Sequence, residues 1–179
     1  MIIEIGTSDF RTAAGQKDGI FIEPIKEYFD ALPKCKKENV AISNVEGIAY
    51  FYHIPSSVIK ELGLPNWIRG CNSINEPHKT ILKMGWGEHV VCDEVPVLRI
   101  KTILDKYSVS EIDFLKIDTE GHDAVILNDF LDTSKILPKK IQLENNELSD
   151  KADIKKLIKR LVKLGYTVKP VKTDLVCEL

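Results

Sequence analysis

The sequence predicts an α/β fold, a mostly parallel sheet with helices on its faces and some antiparallel strands at an edge. Three observations carry this. Short β-branched runs alternate along the chain with stretches of helical periodicity, several of those runs end in polar or acidic residues, and residues 149–164 form one clear amphipathic helix.

Taken in order, Met1–Ile5 is a β-branched run closed by Gly6-Thr-Ser-Asp, a buried strand with a polar turn at its carboxyl end. Gly19-Ile-Phe-Ile-Glu-Pro24 repeats that form. Pro24 suits a helix start, and Ile25, Tyr28, Phe29 and Leu32 fall at helical spacing before Pro33 stops the run. Any helix between Asp9 and Gly19 must be abbreviated. Val40-Ala-Ile and Ile48-Ala-Tyr-Phe-Tyr flank the turn-like stretch Ser43–Gly47, giving a hairpin or two successive strands. Residues 53–89 hold Pro55, Pro65, Pro77, Gly63, Gly70, Gly85, Gly87 and both tryptophans, which predicts a loop-rich insertion with short helical pieces. Long loops on a compact domain often hold substrate.

Val90–Ile100 alternates as a strand, Ile100–Tyr107 is helical, and Ile112–Ile117 is a central strand. A helix over His122–Leu131 begins directly at the acidic turn, and Lys140–Glu144 is the next strand. In the helix Ser149–Leu164, Ile154, Leu157, Ile158, Leu161 and Val162 form one stripe, while Lys155, Lys156, Lys159, Arg160 and Lys163 lie mainly elsewhere. That basic surface reads as the solvated face of a sheet-packed helix. Gly165 is its stop, and Tyr166-Thr-Val-Lys and Leu175-Val-Cys add final strands.

The 179 residues, 44% hydrophobic, suit a single domain over residues 1–179. A net charge of −2 gives no basic field, so a small substrate or a protein is a better partner than nucleic acid. Cys35, Cys71, Cys92 and Cys177 lie far apart with no Cys-x-x-Cys pair, which reads as reduced thiols in a cytoplasmic protein. The first residues lack a signal-peptide pattern, and no apolar run approaches the roughly 18 residues of a membrane span. The chain begins at its first strand, which leaves room for it to be one domain of a longer protein.

The chemistry collects at strand ends. Gly6-Thr-Ser-Asp, Glu23-Pro, Asp118-Thr-Glu-Gly and Glu144-Asn-Asn each follow a strand, and in such sheets ligands sit beyond the carboxyl ends where the strand order switches. The stretch Ile112-Asp-Phe-Leu-Lys-Ile-Asp-Thr-Glu-Gly-His-Asp123 delivers Asp118, Glu120, His122 and Asp123 to one end, like the wall of an active site. A carboxylate ending a buried strand is costly unless it is used or paired, which singles out Asp118. Glu23 stands where an α/β nucleotide fold grips a ribose, Gly6 lets the backbone approach a ligand, and Thr7 and Ser8 supply donors. The dinucleotide fingerprint G-x-G-x-x-G is missing, which favours a nucleoside without a diphosphate. In the insertion, Trp67, Arg69, Asn72, Ser73, His78 and Trp86 mix flat apolar faces with hydrogen-bonding groups, the chemistry of a sugar-binding surface or of a packed loop.

Ile112–Gly121, Ile3-Glu-Ile-Gly6, Phe21-Ile-Glu-Pro24, and Asn39–Asn44 with Gly47 and Tyr50-Phe-Tyr52 together resemble the S-adenosylmethionine-dependent methyltransferases of the FkbM type. The resemblance covers most of the chain in the expected order. It implies a class I methyltransferase (Rossmann-like) fold, S-adenosylmethionine as cofactor, Glu4, Gly6 and Glu23 around its methionine and ribose parts, and Asn39 and Val40 near its adenine. Where that family usually has a second glycine after Gly6, this chain reads Thr7-Ser8-Asp9-Phe10. The implied acceptor is a hydroxyl of a sugar, glycan or other polyhydroxylated metabolite, and in-line transfer needs a proton acceptor, for which Asp118, Glu120 and His122 are the candidates. Asp118 with Glu144-Asn145 after the next strand is also similar to catechol-type O-methyltransferases, where oxygen ligands hold magnesium or manganese. A nucleotide-dependent oxidoreductase and a non-catalytic binding module of the same fold are the alternatives.

Overall fold

A computed structural model describes residues 1–8, 18–146 and 148–179. The first loop beyond Ser8, including Asp9, Phe10 and the abbreviated helix expected before Gly19, lies outside the described residues.

Strand β1 (Ile2–Ile5) leads, across the loop, to β2 (Gly19–Ile22), helix α1 (Lys26–Ala31), and β3 (Lys36–Glu38). A second set follows: β4 (Ala41–Ile42), β5 (Gly47–His53), α2 (Ser56–Glu61), β6 (Ser73–Ile74), α3 (Lys79–Lys83) and β7 (Val91–Leu98). The chain then returns through α4 (Ile100–Lys106), β8 (Phe114–Ile117), α5 (Asp123–Thr133), β9 (Lys140–Glu144), α6 (Lys151–Lys163), β10 (Thr167–Val171) and β11 (Asp174–Glu178).

The large sheet has the order β10-β11-β9-β8-β1-β2-β3. Its five strands β3, β2, β1, β8 and β9 run parallel, and β11 pairs antiparallel with both β9 and β10. This is the mostly parallel sheet with antiparallel strands at one edge that the sequence predicts. One face of it buries Ile3, Ile5, Ile22, Leu115, Ile117, Ile141 and Leu143 against Ile103 and Leu104 of α4, Leu127 and Phe130 of α5, and Leu157 and Leu161 of α6. On the other face Phe21 packs with Leu32, Ile2 and Cys35. Asp150 caps α6 by accepting the N–H groups of Ala152 and Asp153 at 2.8 and 2.9 Å, and Gly165 follows its last turn with φ of +99°.

Two elements differ from the simplest reading of the sequence. Val40-Ala-Ile and Ile48–Tyr52 do not pair as a hairpin, because β7 lies between them in a small sheet of order β4-β7-β5-β6. Ser43–Gly47 therefore arches past the end of β7, fastened where Glu46 accepts from Thr102 Oγ1 at the start of α4. Strand β3 carries Lys36, Lys37 and Glu38 with no apolar alternation, and it forms because it lies at the sheet edge, where charge is tolerated. Lys37 Nζ also donates to the carbonyls of Phe29 and Leu32, finishing α1.

Residues 54–90 gather around a small apolar cluster of Ile54, Ile59, Ile68, Cys71 and Ile81, with Trp86 and Leu64 against it. Short helical pieces do dominate this segment. The four cysteines are free thiols. Among the described residues no helix is long and apolar enough to cross a membrane.

Candidate active site

Strand β1 has β2 on one side and β8 on the other, so the strand order reverses beside it. A cavity of about 380 Å³ opens there, beyond the carboxyl ends of β1, β2, β8 and β9. Its floor includes Gly6, Thr7 and Ser8, its sides include Glu23, Val40 and Ile42, and Phe51 and Ile74 of the small sheet line it from the insertion side.

The strand ends approach so closely that one residue type is required at Gly6. Its φ is +79°, and a Cβ built there would stand 1.9 Å from the carbonyl oxygen of Asp118. Beyond Asp118 the chain turns sharply, with Glu120 at φ +53° and Gly121 at φ +99°, before α5 begins. Asp123, 1% exposed, holds this turn in shape. Its carboxylate accepts the N–H and hydroxyl of Thr119 and the N–H of Glu144.

Three carboxylates converge on the cavity. Asp118, Glu120 and Glu144 each offer an oxygen within 4.8 Å of the others. Burial first, and then the charges of Glu120, Asp118 and Asp123, push the Glu144 carboxyl up to about 8. Its Oε2 is buried and has no hydrogen-bond partner among the described residues. Asn145, expected from the sequence to join Asp118 and Glu144, does not line this cavity. Its Oδ1 accepts from Lys151 Nζ at 3.3 Å, and Glu120, at the left-handed turn, is the residue that stands with Asp118 and Glu144.

The cations are held just as specifically. Lys116 lies directly across from Glu4 in the parallel register, 3.1 Å from Glu4 Oε1 and 3.3 Å from Asp118 Oδ2. Burial works against its charge, but Asp118 and Glu4 outweigh it and hold the ammonium above its ordinary range. Glu4 is fully buried and does not line the cavity, whereas Lys116 does. His122 Nε2 lies 3.0 Å from Ser43 Oγ, and burial lowers the imidazole below its ordinary 6.5, so it is neutral at physiological pH. His78 Nε2 lies 3.2 Å from Glu120 Oε2.

On the opposite side, Glu23 accepts the N–H groups of Ser8 and, at 2.9 Å, Ile25. It remains on the cavity wall. Asn39 braces the turn behind it, donating to the carbonyls of Glu23 and Pro24 at 2.9 Å, and it is Val40 that reaches the cavity. From the insertion, Trp67 and Asn72 line the cavity, and Arg69 and His78 do not. Asn72 donates to the carbonyl of Arg69, and Trp67 packs 6.2 Å from Trp86. Sequence reasoning missed Lys116, Ser43, Phe51 and Ile74. For Lys116 a signal existed, a lone cation inside an apolar strand two residues before the acidic turn. For the others contact depends on how the small sheet folds over the large one.

The family model described as Methyltransferase FkbM domain matches residues 5–168. Among solved structures, that of a methyltransferase FkbM from Methylobacillus flagellatus KT is similar in fold, with a TM-score of 0.57 and 12% identity. The likeness covers 99% of this chain and 43% of that one, so this chain spans less than half the length of that protein. No curated protein matches the chain.

Proposed function

The chain belongs to the FkbM methyltransferase domain family, and from that premise we propose that it transfers the methyl group of S-adenosylmethionine to a hydroxyl of a sugar, glycan or other polyhydroxylated small molecule. The observation that carries this reading is the cavity at the strand-order switch, with Glu23 on one wall and the Asp118–His122 turn on the other.

The residues present fit the cofactor. A cavity of about 380 Å³ lies in the range of small-ligand sites. Glu23 stands on the cavity wall, held by backbone N–H groups that include those of Ser8 and Ile25, and a carboxylate there is the acceptor type that grips ribose hydroxyls in α/β nucleotide folds. Val40, Ile42 and Ile22 give an apolar wall for adenine, and the carboxylates across the cavity suit a cationic sulfonium and ammonium. In this reading Gly6, Thr7 and Ser8 give the cofactor close backbone approach. Glu4 acts at one remove, by fixing Lys116.

When bound, the cofactor supplies an electrophilic methyl group. The protein has to align the acceptor hydroxyl and receive its proton. His122 is our choice for the base, since it is neutral, half-buried and oriented by Ser43. Asp118 orients the acceptor and Glu120 shapes the turn. We further propose one catalytic domain over residues 1–179, with residues 53–89 choosing the acceptor, acting in the cytoplasm. The test is incubation of purified protein with S-adenosylmethionine and candidate glycans, with the added methyl read by mass spectrometry. Preferential binding of NAD would favour an oxidoreductase, and activity untouched by Asp118→Ala and His122→Ala would favour a binding module.

The convergence of Asp118, Glu120 and Glu144 favours a second reading of the proton step. Three hard oxygen ligands suit magnesium or manganese, and such an ion would lower the pKa of the acceptor hydroxyl. Dialysis against chelator followed by assay with and without each ion decides this, and unchanged activity removes the ion from the account.

A further inference from the structure

The main cavity has a neighbour. A second cavity of about 170 Å³ lies between residues 73–79 of the insertion and the turn at residues 119–122, with Leu148 at its side. Ile74, Thr119, Glu120 and His122 line both, so the acidic turn is a shared wall. Methyl transfer is an in-line displacement, in which the acceptor approaches the methyl carbon from the side away from sulfur. Donor and acceptor therefore need separate spaces that meet at the reacting atoms. A nucleoside with a methionine tail takes up most of the larger cavity. The smaller holds roughly six water molecules' share of liquid volume, about the bulk of one sugar ring. Its hydrogen-bonding lining includes Ser73, Glu76, Lys79, Thr119 and Glu120, two carboxylates and one ammonium beside neutral hydroxyls, which suits the many hydroxyls of a polyol.

One contact fixes the shared wall. His78 is 5% exposed, and its Nδ1 accepts the N–H of Thr80 at 3.2 Å. A neutral ring in that arrangement carries its proton on Nε2, which donates to Glu120 Oε2. Glu120 stands in the left-handed region, which disfavours a non-glycine residue, so its orientation depends on partners such as this.

We propose that the acceptor binds in the second cavity and reaches the methyl donor across the wall of Glu120 and His122, and that His78 is the positioning residue that holds Glu120 in that wall. This rests on the methyltransferase reading and says where its acceptor sits. In the step itself a lone pair of the acceptor oxygen forms the new O–CH₃ bond as the CH₃–S bond breaks. That bonding pair goes to sulfur, the hydroxyl proton passes to the unprotonated nitrogen of His122, and S-adenosylhomocysteine leaves.

The test uses labelled S-adenosylmethionine with methyl glucoside, methyl mannoside and methyl rhamnoside as acceptors. Leu148→Trp and Ser73→Phe each fill the second cavity, and each raises the acceptor KM by about tenfold or more while the Kd for S-adenosylmethionine stays within about twofold. Retained cofactor binding also shows that the variant has folded. His78→Leu lowers kcat by about tenfold with acceptor KM unchanged, and His78→Gln, which keeps a donor near the Nε2 position, recovers kcat to within about threefold. Unchanged acceptor KM in both filling variants, with a raised KM in Trp67→Ala, puts the acceptor in the main cavity and overturns the proposal. A Gln variant as impaired as the Leu variant overturns the positioning role. A protein that binds S-adenosylmethionine and methylates none of the glycosides overturns the polyol site, whereas failure to bind S-adenosylmethionine overturns the methyltransferase reading itself.

Discussion

Asp123 Oδ2 accepts the backbone N–H of Glu144 at 2.7 Å, so a buried carboxylate at the start of α5 ties the end of β8 to the end of β9. Its other oxygen accepts the N–H of Thr119 at 2.9 Å, and the two strand ends that carry the acidic cluster are thereby held in register. Replacing it with alanine leaves two backbone donors and a hydroxyl without their acceptor. Asp123→Ala is expected to destabilise the fold by about 3 kcal/mol, measured as a lower urea midpoint with unchanged m-value.

The same residue makes a pH prediction. Burial pushes Asp123 up to about 7 from an ordinary 3.8, against the donors of Thr119 and Glu144 that pull it down. An acid whose folded pKa is raised binds more protons when folded. Its contribution is therefore fully present below about 3.8 and is lost as pH rises through about 7. His122, lowered by burial, gives a slope of the opposite sign below 6.5. The comparison is therefore between wild type and Asp123→Asn. The variant's stability is expected to fall less steeply than wild type's between pH 5 and 8, and parallel curves would remove Asp123 from the titration.

Gly6 is expected to tolerate no side chain. The carbonyl of Asp118 occupies the space a Cβ needs, and the backbone is in the region that disfavours one. Gly6→Ala should cost about 2 kcal/mol or more and weaken cofactor binding, because the floor of the cavity must shift. Calorimetry and denaturant unfolding check the two effects together.

Much of this was legible in the sequence. Lys140–Glu144 and Ile100–Lys106 are strand and helix as read, since their apolar spacing alone decides them. Asp118, Glu120, His122 and Glu144 do meet at one cavity, because parallel strands must deliver their carboxyl ends to the same side. What could not be read is how the small sheet folds back. Ser43 reaches His122 and His78 reaches Glu120 over 79 and 42 residues of chain, contacts that no local periodicity encodes. Lys36–Glu38 has no strand pattern, since an edge strand next to solvent needs none.

His122 and Ser43 give a graded prediction for catalysis. His122→Ala is expected to lower kcat by about 100-fold or more without changing cofactor affinity, since it removes the proposed proton acceptor. Ser43→Ala, which only orients the ring, is expected to cost about tenfold. Equal losses in steady-state assays would mean that His122 acts through structure.

The central claim is that S-adenosylmethionine binds in the cavity between Glu23 and the Asp118–His122 turn. Isothermal titration of the whole protein with S-adenosylmethionine and, separately, with NAD tests it most directly. The account predicts one S-adenosylmethionine site per chain, weakened about tenfold or more in Glu23→Gln, with no comparable binding of NAD. No heat with S-adenosylmethionine, or equal affinity in wild type and Glu23→Gln, would contradict it.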